Sequence, residues 1–226
     1  MQPYFLPYIG YFQLINYCDV FVIYDDAKYT KKGWISRNRI QKLGVIHNIS
    51  LEIKRDHDNL SIRDRTLATN FDREKLFRQI SGAYAQSPFW DEIDSVLKTI
   101  ILNGELNLFR YLEFSIRSLT EFLNIPVPIL VSSQLADSSL RGVDRVVAIC
   151  RSLDATEYIN PVGGIDLYDP DTFKQNGIEI GFLRTRLSPY AQTTQGFVPG
   201  LSIVDTISNM NQSEFRNVLC SDFDIV

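Results

Sequence analysis

Apolar residues recur along this chain with two different periods, and the switches between them predict a mixed α/β protein. Tyr8, Tyr11, Phe12 and Ile15 stand at offsets 0, 3, 4 and 7, one face of a helix over residues 8–15. The run Val20-Phe21-Val22-Ile23-Tyr24 is β-branched and aromatic, as a buried strand requires, and ends on Asp25-Asp26. Residues 46–53 alternate as a further strand, and the charged run 54–65 reads as a solvated crossing. A contiguous helical block follows over residues 72–123. Asp72 caps a helix through Tyr84, and Ser87 with Pro88 opens another to about Leu102. Residues 105–123 make a third, with apolar positions at 108, 109, 112, 116, 119 and 123.

Beyond residue 125 short strands and helices alternate. Val127–Val131, Glu157–Asn160 and Ile178–Leu183 read as strands, with helices over 142–150 and 169–176 between them. That alternation predicts a parallel sheet. The expected architecture is one α/β domain over residues 1–226, with a mostly parallel sheet and a helical insert or flank at 72–123. Tyr190 to Gly200 form a polar loop with aromatic anchors. Ser202 then reads as an N-cap with Asp205 three residues on, an acidic capping box. Gln212 opens a final short helix.

Composition narrows the functional classes. Of 226 residues, 45% are hydrophobic, ample for a core, and the formal net charge is −4, which disfavours nucleic acid as a partner. Basic character is local to residues 28–39 and suits a small anionic ligand. No run of eighteen apolar residues and no secretory leader pattern is present, and three widely spaced cysteines fit a reducing cytoplasm. Cys18 and Cys150 read as buried, inert thiols. With only His47 and His57, a Cys–His or Ser–His triad or a zinc site is poorly supplied.

The densest chemistry lies where the second predicted element ends. Asp25 and Asp26 would sit at the carboxyl end of a strand, where open α/β sheets bind ligands. Lys28, Tyr29, Lys31, Lys32, Trp34, Arg37, Asn38 and Arg39 follow at once. Two carboxylates beside five cations, interrupted by a tryptophan, read as a site in preference to a solvated loop. Paired carboxylates can raise one pKa and so make Asp25 or Asp26 a base. Asn38, Tyr29 or backbone N–H groups could steady an oxyanion, and Arg37, Arg39 and Lys31 or Lys32 could hold phosphate. Trp34 offers a flat face to a base or sugar ring. Ser132-Ser133-Gln134 leaves a second strand end as a further ligand position. Arg145 either approaches a ligand phosphate or pairs with a neighbouring carboxylate. Gly163-Gly164 is a weak anion motif.

The stretch MQPYFLPYIGYFQLI, continued by DVFVIYDD, KKGW and RNRI, closely resembles the WbqC-like family of bacterial proteins. Tyr190-Ala-Gln192 and Phe197 to Asp205 match it as well. The resemblance implies a role in O-antigen or other surface-polysaccharide biosynthesis, as a transferase that acylates or aminoacylates, with glycyl as one option, a nucleotide-linked amino sugar. It adds Gln2, Tyr8, Tyr11, Tyr190, Gln192, Ser202 and Asp205 as substrate contacts beside Asp25, Asp26 and Asn38 as catalytic groups. Relatives carry a few β-forming residues before the MQP motif, so the first strand here is expected to be short or the start displaced. The order of extended segment, proline loop, glycine-bearing helix and strand is similar to Rossmann-like nucleotidyl transferases, with Tyr8 and Tyr11 in place of their histidines. Two other classes stay open. One is an ATP- and Mg²⁺-dependent ligase or nucleotidyl transferase, with the metal on Asp25 and Asp26. The other is a non-catalytic sugar-nucleotide or glycan-binding protein. The cofactor is left open: none for direct transfer, or ATP with Mg²⁺ in the ligase reading.

Overall fold

The computed structural model describes residues 1–193 and 196–226. Thr194 and Gln195 of the expected polar loop lie outside the described residues. The opening prolines deliver the chain into helix α1, Ile9–Tyr17. Between them Leu6 takes a left-handed φ of 42°, which a branched side chain adopts only under outside restraint. The restraint is side-chain hydrogen bonding. Asn38 Nδ2 donates to Phe5 O at 3.0 Å and to Leu6 O at 2.6 Å, and Ser202 Oγ donates to Leu6 O at 2.8 Å.

Strand β1, Phe21–Ile23, forms where the apolar run predicts it. The chain then makes an antiparallel hairpin, β2 Arg37–Lys42 and β3 Val45–Ser50. Leu43 and Gly44 turn it with φ of 50° and 80°, the left-handed pair a two-residue hairpin needs. The first of these strands is absent from the sequence reading, because its polar residues resemble a loop. Its burial nevertheless alternates: Asn38, Ile40 and Gln41 are covered while Arg37 and Arg39 are partly open.

Three helices follow. Asp72 caps α2, Arg73–Tyr84, by accepting Lys75 N–H at 2.8 Å. Helix α3 is Trp90–Ile101, starting later than Ser87 suggests, with Phe89 at its cap and no side-chain cap bond. Helix α4 is Leu108–Phe122 and is capped by Asn107, since Glu105 turns its carboxylate onto the N–H groups of Leu106 and Asn107 instead. Their buried faces, including Ile80, Leu97, Leu112 and Leu119, join Phe12, Phe21 and Ile23 in a single apolar cluster.

Strand β4, Ile129–Val131, pairs parallel with β1, Phe21 opposite Ile129. Helix α5, Gly142–Ser152, leads to β5, Glu157–Pro161. Helix α6, Pro170–Lys174, leads to β6, Glu179–Thr185, which pairs parallel with β5. Helices α7, Ile203–Asn209, and α8, Gln212–Ser221, precede β7, Phe223–Ile225, antiparallel to β6. The fold is thus α/β with parallel strand pairs and flanking helices. A smaller apolar cluster of Val146, Val147, Cys150, Phe173 and Ile178 joins α5 and α6.

Met1 joins the sheet as one paired residue. Its amine donates to Val22 O and its carbonyl accepts Tyr24 N–H, both at 2.8 Å. A cavity of about 350 Å³ lies between this edge of β1 and β5, lined by Met1, Val22, Tyr24, Tyr158 and Ile159. Burial pushes the thiols of Cys18 and Cys150 up to about 11, so both are poor nucleophiles.

Candidate functional site

Strands β1 and β4 run parallel, so their carboxyl ends bring Asp25-Asp26 beside Ser132-Ser133. Ser132 Oγ lies 2.9 Å from Asp25 Oδ1 and 3.1 Å from Asp26 Oδ1, and Ser133 N–H donates to Asp25 Oδ1 at 3.1 Å. Each carboxylate also has its own cation. Arg63 Nη1 stands 3.6 Å from Asp25 Oδ2, and Arg145 Nη2 stands 2.6 Å from Asp26 Oδ2. Asp26 Oδ2 takes no aligned hydrogen bond, so its contact with Arg145 is chiefly electrostatic. Arg145 is held in place by backbone: Nη2 donates to Ser132 O at 3.2 Å, and Nη1 to Ala136 O at 3.3 Å and to Asp137 O. Of the two readings of Arg145, pairing with a carboxylate is the one the structure contains.

Arg63 comes from the run that the sequence assigns to a solvated crossing. Backbone hydrogen bonds from Arg63 N to Asp25 O, Ile62 N to Ala27 O and Tyr29 N to Leu60 O lay that crossing antiparallel against residues 25–29. No local pattern signals this; only the pairing brings Arg63 to the carboxylates. The cluster opens on a cavity of about 500 Å³ lined by Tyr24, Asp26, Lys28, Arg63, Arg141 and Arg145 among others.

The other predicted site residues fall into separate groups. Asn38 is buried with its amide on Phe5 O and Leu6 O. Both amide hydrogens are engaged there, holding the Leu6 turn. Ser202 caps α7 at Val204 N and anchors Leu6 O. Tyr11 is buried and donates to Gln2 O at 3.1 Å, and burial raises its phenol well above the ordinary range. Tyr8, partly buried, packs against the core at the entry to α1. Gly10 between them serves a close approach, because a Cβ there would lie 2.3 Å from Thr185 Oγ1.

Asp205 does not reach back along α7 as a capping box would. It is buried and accepts Tyr84 OH at 3.0 Å, Tyr190 OH at 2.5 Å and Gln192 Nε2 at 2.8 Å. Burial raises its carboxyl above the ordinary value while these three donors oppose the rise. Tyr190, Gln192 and Asp205 therefore form a hub joining α2, the 190s loop and α7. Trp34 is exposed, with the guanidinium carbons of Arg37 and Arg39 at 5.8 and 5.3 Å from its ring. Arg37 bonds Gly33 O and Lys32 O, and Arg39 bonds Gly200 O. Tyr29 is buried, its hydroxyl 2.8 Å from Ser36 Oγ, and Lys31 pairs with Asp58 on the surface. Lys32 is exposed. Gly164 has Asn160 Nδ2 2.2 Å from its would-be Cβ, so that glycine also serves packing.

A family model described as the WbqC-like protein family matches residues 2–217. The chain belongs to the WbqC-like family. A WbqC-like relative, the uncharacterized protein Rv1507c of Mycobacterium tuberculosis strain H37Rv, is 29% identical over 216 residues, covering 93% of this chain and 92% of its own. No solved structure matches the chain. In this WbqC-like protein no described helix is long and apolar enough to cross a membrane.

Proposed function

We propose that this protein is a transferase of surface-polysaccharide biosynthesis that moves an acyl or aminoacyl group onto the amine of a nucleotide-linked sugar. Family membership supports the pathway. The observation that carries the chemistry is the Asp25–Ser132–Asp26 arrangement at two parallel strand ends, opening on a cavity. Attack by a sugar amine on an acyl carbonyl forms the new C–N bond, sheds the donor's leaving group and releases one proton. Asp26, which lines the cavity, is the group we assign to receive that proton. Asp25, held by Ser132, Ser133 and Arg63, is a positioning residue that orients the Ser132 hydroxyl between the two carboxylates. Arg63, about two-fifths exposed, can face the oxyanion that develops on the acyl carbonyl.

The test is a thermal-shift and turnover panel with UDP- and dTDP-linked amino sugars, acyl and aminoacyl donors, and ATP with Mg²⁺. Product formation should fall about 10²- to 10⁴-fold in Asp26→Asn while sugar-nucleotide binding persists. A response confined to ATP with Mg²⁺ would replace this proposal with a ligase. Binding without product, insensitive to Asp26→Asn, would make the protein a receptor.

A further inference from the structure

The cavity beside Asp26 has a second wall that the transfer chemistry does not use. Among its lining residues Lys28, Arg63, Arg141 and Arg145 face only two acids, Asp26 and Asp64. Arg145 is committed to Asp26, and Asp64 is turned to Ser61 Oγ at 2.5 Å. Lys28 donates to the neutral amide of Asn59 at 3.0 Å, Arg141 donates only to the carbonyls of Ser138 and Leu140, and Arg63 stands 3.6 Å from Asp25. Asp58 lies within Coulombic reach of Lys28, and Asp137 of Arg141 and Arg145, so the cations around this cavity are balanced in part by carboxylates outside its lining.

An independent observation points the same way. Arg145 is 2% exposed and its Nε–H has no acceptor, and the Tyr24 hydroxyl on the same wall also has no partner. Among the described residues the Nε–H groups of Arg39, Arg65 and Arg73 are in the same state, so what sets this pair apart is that both residues line one cavity. These two atoms are covered in the free protein, so an anionic oxygen in the cavity meets them only after a side-chain shift. The first turn of α5 adds its free N–H groups at Gly142, where no side chain caps them and open space lies in front of the glycine, with Asp144 as the one carboxylate in that turn.

We infer that this wall is a diphosphate site: Lys28 and Arg63 grip from the 25–29 and 60–63 segments, and Arg141 with the α5 N-terminus grips from the other side. Cations carried on separate segments around one cavity suit two linked phosphates better than one. The inference rests on the transferase reading above and specifies that its acceptor is presented as a diphosphate ester. The same group occurs in sugar nucleotides and in isoprenoid carriers, and the probes below separate them.

Calorimetric titrations of the full chain with UDP, UMP, inorganic pyrophosphate and geranyl diphosphate, at low and moderate salt, test it. UDP should bind at least tenfold tighter than UMP and weaken with salt. Lys28→Gln and Arg141→Gln, both at exposed positions, should each weaken UDP tenfold or more without changing the melting temperature of the free protein. Tighter binding of geranyl diphosphate than of UDP assigns the diphosphate to a lipid carrier and keeps the site. Equal affinity for UDP and UMP, or unchanged affinity in both variants, overturns it. Asp26→Asn separates this inference from the transferase reading. If no amino sugar is turned over yet UDP binds and responds to Arg141→Gln, the reaction is wrong and the site stands. Turnover without measurable diphosphate binding refutes the site alone.

Discussion

Asp26 Oδ2 and Arg145 Nη2 lie 2.6 Å apart, with 8% and 3% of their side chains exposed. The two residues come from different strand–loop units and meet only because β1 and β4 are parallel neighbours. Removing one member of such a pair strands the other charge, which typically costs about 3–5 kcal/mol. Arg145→Met should therefore lower stability in urea unfolding by about that amount. The double change Asp26→Leu with Arg145→Met should lose less than the single one. Additive losses would show that the pair is not coupled.

Gly10→Ala should destabilise the fold. The added methyl would meet Thr185 Oγ1 at 2.3 Å and the Tyr8 ring at 2.5 Å, and overpacking of this kind costs about 1–3 kcal/mol. A melting temperature equal to that of the parent would show that Tyr8 swings clear at no cost.

Asp205 is expected to act through the fold. Tyr190→Phe removes one of its three donors, and the loss should be about 1–2 kcal/mol in urea unfolding. At temperatures where the variant is folded, its affinity for UDP should equal that of the parent. A specific loss of affinity without loss of stability would return Tyr190 to the binding surface.

Much of the candidate site was legible as chemistry before it was legible as geometry. Asp25 and Asp26 stood out because an apolar run ends on them, and Ser132 because a second run ends there. Arg37, Asn38 and Arg39 stood out equally, yet their strand carries Asn38 inward to hold Leu6 and leaves the arginines beside Trp34. Residue type and density in sequence do not distinguish a polar group that binds a ligand from one that satisfies a backbone carbonyl.

By itself the sequence determined the elements that depend on local periodicity: α1, β1, the Asp72-capped α2, and the strand–helix alternation of the second half. It also carried the family resemblance. The tertiary structure alone decided that Arg63 and Arg145 neutralise Asp25 and Asp26, that β2 is a strand, and that Asp205 is a buried hub. The physical reason is common to all three. Apolar spacing encodes which face of an element is buried, whereas the partner of a polar group is set by backbone pairing between segments far apart in the chain, which no local period records.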